Sequence, residues 1–318
     1  MLDIIIALQK VLDQSAKRSI CDWLSPLPKE ASWYLISDYV FDDPNRHDTA
    51  SFVLLLNHDK LETIRNYINN QAPADIKKSR SASEGMIRYL QSPVVFSFTF
   101  VLDDGDKFLS TYAPFSAMID GLEDISRLTE SMAKNSGKEN TYFLQVQQRL
   151  SSFINELKRK GNAKLARQVF LVAAYAAVVL DYLDMVTEPS ITSWISDRDA
   201  ILKRHDGIVW DIASIMFYLM KGHRMPTDLR RATIIDKPKL IHIVPEESGK
   251  NYLDPLIRMP DYLAAAASGI NLHNLEFSHP KLDAIGSACF FGASNSVFCT
   301  LSWTGQGFLV RRLIRSSP

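Results

Sequence analysis

The chain has 318 residues, 46% of them hydrophobic and 23% charged, which is the make-up of a folded globular protein and excludes disordered, collagen-like and coiled-coil architectures. Lys+Arg 36 balance Asp+Glu 36, so any electrostatic partner must be held by local patches rather than by overall charge. Cys21, Cys289 and Cys299 make no even framework and no Cys-x-x-Cys pair, which points to reduced thiols in a cytoplasmic protein.

Residues 1–30 read as an N-terminal helix, striped by Ile4, Leu8, Val11, Leu12 and Ile20 and ended at Ser25-Pro26. Its opening carries Asp3 where a secretory signal carries bases. Trp33–Val40 and Ala50–Leu56 are β-rich runs joined by a polar loop with Asp43-Pro44-Asn45, the pattern of a hairpin. A short helix over Leu61, Ile64, Tyr67 and Ile68 and another near Ser83–Leu90 lead into Val94–Leu102, apolar on both faces and expected to be a central strand.

Residues from about 104 to 190 are expected to be a helical insertion. Its first part is polar and loosely patterned, while Phe143, Val146, Leu150, Phe153, Ile154 and Leu157 repeat at three and four, and Gly161-Asn162 separates them from a second helix over Lys164–Met185. The most apolar stretch there, Val169–Leu180, stops at Asp181, short of the ~20 residues a bilayer requires, and is expected to be a buried core helix with no membrane role. A strand at Ile191–Asp197, a helix through Ile208–Leu219, a strand at Leu240–Val244 and a helix over about 254–269 complete a core spanning 31–270. Residues 271–318 read as a C-terminal β-rich appendage whose aromatic residues suit a core or a homo-oligomer contact.

Three acids share a setting at a strand end or a helix start among apolar residues: Asp38, Asp197 and Asp261. A buried carboxylate needs a base, a helix N-terminus or a metal ion as partner, and hard oxygen ligands suit Mg²⁺ or Mn²⁺. Each acid alone is also an ordinary cap or loop ligand. Ala264–Ala267 would let the last helix approach the sheet closely.

The stretches Ile36-Ser37-Asp38-Tyr39-Val40, Trp194-Ile195-Ser196-Asp197-Arg198-Asp199 and Arg258-Met259-Pro260-Asp261-Tyr262-Leu263-Ala264-Ala265 resemble the ribonuclease H-like, or retroviral-integrase-like, superfamily, within it a bacterial domain family of unknown function. That family opens with an Asp-Glu-Ser-Gly strand and closes with a Gln-x-Ala-Asp-x-x-Ala-Gly helix. The resemblance covers residues 30 to 270 in outline and implies an α/β fold, a mixed sheet flanked by helices. Tyr39 stands where the family has its first Glu and Arg258 where it has Gln; Asp42, Asp43, Asp199 or Glu84 could supply a replacement acid.

Two functions follow from the resemblance. In a metal-dependent nuclease, Asp38, Asp197 and Asp261, with Asp199, would bind two Mg²⁺ or Mn²⁺ ions about 4 Å apart, and His205 would shuttle a proton. The Lys/Arg-rich segments 149–170 and 221–239 would grip the phosphates of a nucleic acid. The alternative is a non-catalytic interaction module, motivated by Tyr39, Arg258 and the balanced charge. A small-molecule enzyme has no support from a phosphate-binding glycine loop, a Gly-x-Ser-x-Gly elbow or a His-Glu-x-x-His helix.

Overall fold

A computed structural model describes residues 3–72, 76–103, 110–135, 140–224, 240–243, 252–305 and 307–314. The chain divides into two compact units, one of residues 10–108, 183–197 and 240–318 and the other of 1–9, 109–182 and 198–239.

The first unit is built on a mixed sheet. Its strands are β1 (Ser32–Val40), β2 (Thr49–Leu56), β3 (Val95–Leu102), β4 (Ile191–Ser196), β5 (Leu240–Ile243), β8 (Ser296–Trp303) and β9 (Phe308–Arg312), in the order β5-β4-β1-β2-β3-β8-β9. β1, β2 and β3 form an antiparallel meander, β4 and β5 add in parallel beyond β1, and β8 adds in parallel beyond β3. A two-stranded ribbon, β6 (Ile270–Asn271) with β7 (Glu276–Phe277), lies outside this sheet.

Alternation along these strands decides the faces. Tyr34 and Ile36 of β1, Val53 and Leu55 of β2 and Val95 and Val101 of β3 belong to one apolar cluster with Tyr262, Leu263 and Ala265–Ala267. Those last residues come from helix α10 (Asp254–Ser268), whose alanines remove the bulk that would hold it off the sheet. Helices α3 (Leu61–Gln71) and α4 (Glu84–Leu90) contribute Ile64, Ile68, Met86 and Leu90 to the same cluster. The other face carries Trp33, Leu35, Leu54, Phe96, Phe98 and Phe100, all buried.

The structure changes several sequence expectations. The N-terminal segment is two helices, α1 (Asp3–Ser15) and α2 (Lys17–Leu24), broken at Ala16, whose φ of −129° is not helical. The C-terminal strands are not an appendage: β8 pairs with β3 residue for residue from Ser97↔Ser296 to Leu102↔Leu301, inside the main sheet. Nor is the region 271–318 all β: Pro280–Gly286 forms helix α11 and Ser287–Phe291 continues as a helical turn. Phe290 and Phe298, considered for an oligomer contact, are buried and stack at 4.4 Å.

The second unit is helical. α5 (Phe115–Asn135) packs on α6 (Asn140–Lys160), and α9 (Ile208–Arg224) packs on both. The loosely patterned sequence after residue 104 thus contains a 21-residue helix; its apolar positions Met118, Ile119, Leu122 and Ile125 are buried, and Asp120, Asp124, Arg127, Glu130 and Lys134 are exposed. Helix α7 (Ala163–Thr187) is long and apolar enough to cross a membrane by length and composition, but 83% of its apolar window is buried inside the protein. Asp181, where the apolar run ends, is buried and ion-paired with Arg224 at 2.7 Å while accepting from Gln9 Nε2 at 3.2 Å.

Candidate functional site

The arrangement of the candidate acids begins with register. β1 and β4 run in parallel, paired from Ser32↔Ile191 to Ser37↔Ser196. Asp38 is the next residue after the last pair on β1, and Asp197 is the next residue after it at the end of β4. Alternation puts Asp38 on the side of Tyr34 and Ile36 and Asp197 on the side of Ile195, all three apolar residues being in the cluster that α10 covers. Asp261 lies on α10 itself and is half-buried. The sequence therefore folds so that the three acids share one side of one sheet. Asp38 is buried at 8% exposure and Asp197 is exposed.

Sharing a face is not coordination. Among the described residues, no group of three or more His, Cys, Asp and Glu side chains comes together as a metal site would need. The trio is thus not gathered into one three-carboxylate cluster; what the fold does bring together is Asp38 and Asp197, at adjoining ends of parallel strands. The row continues across the sheet through Ser51, opposite Asp38, and Thr99, opposite Ser51, both fully buried, with their hydroxyls 3.1 Å apart.

The opposite side of β1 holds this register. Trp194 Nε1 donates to Ser37 Oγ at 2.8 Å, Ser196 Oγ donates to Ser37 O at 3.2 Å, and the hydroxyls of Ser37 and Tyr39 lie 2.7 Å apart. Tyr39, at the position of the family's Glu, also packs on Phe41 and Phe52 with ring centroids 6.1 Å away. Alternation directs it away from Asp38. Ser37 and Trp194 were not singled out in the sequence, and only the pairing of β1 with β4 reveals them.

The remaining candidates have other occupations. Asp199 is the N-cap of the short helix α8 (Ala200–Lys203), its Oδ1 accepting from Leu202 N–H at 3.0 Å. His205 belongs to the helical unit, where its Nε2 meets Glu156 Oε2 at 2.6 Å and its ring stands edge-on to Phe153 at 5.3 Å. Burial lowers its pKa, the Arg204 charge lowers it further, and Asp206 opposes them. His205 and Asp206 have φ values of 42° and 53°, a left-handed pair held where Arg204 also bonds Glu156. Arg258 does not serve as a counter-charge to the acids: its Nη1 donates to Ala72 O at 2.9 Å, burial lowers its pKa, and Asp254 is the carboxylate that opposes the shift.

Among the possible replacement acids, Asp43 pairs with Arg46 at 3.5 Å and Asp42 N–H donates to the buried Asp48 at 3.1 Å. Glu84 is exposed in the first turn of α4.

The basic segment 149–170 is partly consumed inside the fold. Arg149 grips Asp211 through Nε at 2.6 Å and Nη2 at 2.9 Å, Lys158 bonds Glu123 at 2.6 Å, and Arg167 Nε donates to Ala113 O at 2.8 Å. Asp211 is buried, so burial raises its pKa and the Arg149 bridge opposes that rise. Of the segment 221–239, Arg224 is committed to Asp181, and residues 225–239 lie outside the described residues.

Comparison of the chain with protein-family models, with curated proteins and with solved structures gives no match.

Proposed function

We propose that the chain is a ribonuclease H-like, metal-dependent nuclease whose cation ligands are Asp38 and Asp197. The fold reading is supported by the sheet, an antiparallel meander continued by parallel strands beyond β1, which is the kind of mixed sheet the resemblance implies. The observation that carries the functional reading is the placement of Asp38 and Asp197 one residue past the last β1–β4 pair.

Two carboxylates on adjoining strand ends fit the chemistry of Mg²⁺ or Mn²⁺, because such ions are commonly held by one or two carboxylates and complete their shell with water and substrate phosphate oxygens. A cation held by these carboxylates would supply Lewis-acid polarisation of a phosphoryl oxygen and activation of water. The chain's own contribution is positional: the Trp194–Ser37 and Ser196–Ser37 bonds fix one strand end against the other. Asp261 is assigned as an outer carboxylate on the helix that covers this face.

A second reading, an interaction module that keeps the fold without catalysis, is favoured by the lack of a three-acid group among the described residues and by Tyr39 being engaged on the opposite face. Calorimetric titration with Mn²⁺, joined to cleavage of single-stranded DNA and RNA, separates the two. For the nuclease we expect a heat of Mn²⁺ binding and cleavage in the wild type, both lost in Asp38→Asn and Asp197→Asn. Cleavage as fast in those variants as in the wild type defeats the nuclease reading; no heat and no cleavage in any of them favours the module.

A further inference from the structure

Helix α6 ends in three consecutive bases whose fates differ. Lys158 is paired with Glu123, whereas Arg159 and Lys160 are exposed and, among the described residues, have no ion-pair or hydrogen-bond partner. Both line an open groove of about 740 Å³ together with Ser152, Asn155 and Glu156. The spacing 152, 155, 156, 159, 160 is one face of an α-helix. Among the described residues lining the groove the one acid is Glu156, and that carboxylate is engaged by Arg204 at one oxygen and by His205 Nε2 at the other. The groove therefore carries an excess of positive charge, with the Ser152 hydroxyl and the Asn155 amide as uncharged donors beside it.

Cations at a helix C-terminus are favoured by the backbone dipole, so Arg159 and Lys160 are stable there without a carboxylate partner. Other bases of this unit are instead committed: Arg149 to Asp211, Arg167 to Ala113 O and Arg204 to Glu156. The groove is open along a helix face, which suits a chain lying along it.

From this we infer that the groove on α6 binds the phosphodiester backbone of a single-stranded nucleic acid, with Arg159 and Lys160 contacting phosphates and Ser152 and Asn155 donating to phosphate or sugar oxygens. The identity of the ligand class rests on the nuclease reading above; the site itself rests on the groove and its unpaired cations. Contacts of this type carry no sequence information and give salt-sensitive affinity.

The test is fluorescence anisotropy of labelled oligo-dT and oligo-rU, each about 20 nucleotides long, in EDTA, with salt varied from about 50 to 200 mM. EDTA removes metal chemistry, so binding without cleavage would leave this inference standing even if the nuclease reading failed. The wild type is expected to bind and to weaken with salt. Arg159→Glu/Lys160→Glu should lose at least about tenfold in affinity, and its log–log salt slope should shrink by about 1.4, two single-strand phosphate contacts' worth. Both positions are exposed and unpaired, and acids there oppose the helix dipole, so the double variant is expected to show a lower urea midpoint while remaining folded without urea. Arg88→Glu, an exposed base on α4, should bind like the wild type. Failure of the wild type to bind, undiminished binding by the double variant, or an equal loss in Arg88→Glu would each overturn the assignment.

Discussion

The indole N–H of Trp194 and the hydroxyl of Ser37 are joined at 2.8 Å across two strands whose pairing places Asp38 beside Asp197. Ser37 is fully buried, so its loss strands a donor rather than exposing it to water. Ser37→Ala is expected to cost about 1–3 kcal/mol, the range for an abandoned buried hydrogen-bonding group, read from urea denaturation midpoints. Trp194→Phe together with Ser37→Ala should cost less than the two single changes added, because the double variant leaves neither partner unsatisfied. Strict additivity would show that the bond does not hold the register.

The Arg149–Asp211 bridge joins α6 to α9 through two nitrogens and two oxygens. Asp211 lies on a helix face otherwise made of Ile208, Ile212, Ile215 and Met216 and is buried with them. Arg149→Ala is therefore expected to destabilise by about 3 kcal/mol, since an uncompensated carboxylate remains inside. Replacing both, as Arg149→Met with Asp211→Leu, should restore most of that loss in the same denaturation assay. A double variant as weak as the single would mean that packing, not charge, is what the pair supplies.

Acid should weaken the fold through His242. Its ring lies against Trp194 at 5.8 Å, and burial holds its pKa down to about 3 against an ordinary 6.5. Above pH 6.5 the imidazole is neutral in both states and contributes no slope. Between about 6.5 and 3 the unfolded chain carries a proton that the folded chain rejects, so stability falls as pH falls, by at most about 1.4 kcal/mol per unit. His205 is shifted in the same direction, so the comparison is between wild type and His242→Gln: the variant's stability curve from pH 7 to pH 4 should be the flatter. Parallel curves would refute the assignment.

Asp199 offers a control for the cation site. Because asparagine caps helices as well as aspartate does, Asp199→Asn should leave both the urea midpoint and the heat of Mn²⁺ binding unchanged, whereas Asp199→Ala should cost about 1 kcal/mol. A loss of Mn²⁺ heat in Asp199→Asn alone would move the ligand set from Asp38 and Asp197 to Asp199.

Much of the secondary structure was legible because it is written locally. Alternating and continuous apolar runs located β1, β2, β3 and β4, and three-four periodicity located α6 and α9. What escaped depends on partners far away in the chain. Val297, Phe298 and Cys299 looked like a terminal hairpin because nothing near them in sequence names β3 as their neighbour. Asp211 and Asp181 lie in apolar helices, and that each recruits an arginine, Arg149 and Arg224, from another helix is not written in any local pattern. In the candidate site the placement of acids at strand ends is readable, whereas Asp199, read there as a metal ligand, is a helix cap in the structure. The distance at which Asp261 would meet the other two is not readable, since it depends on how α10 lies across the sheet.

The parallel pairing of β3 with β8 sets an order of events during synthesis. Residues 95–102 leave the ribosome almost two hundred residues before 296–303, and until then one long border of a strand made of Phe96, Phe98, Phe100 and Val101 has no main-chain partner. A nascent chain must therefore shelter that border, by holdase chaperones or by transient non-native cover, and a ribosome that stalls before Asn295 would release a product prone to edge-to-edge aggregation.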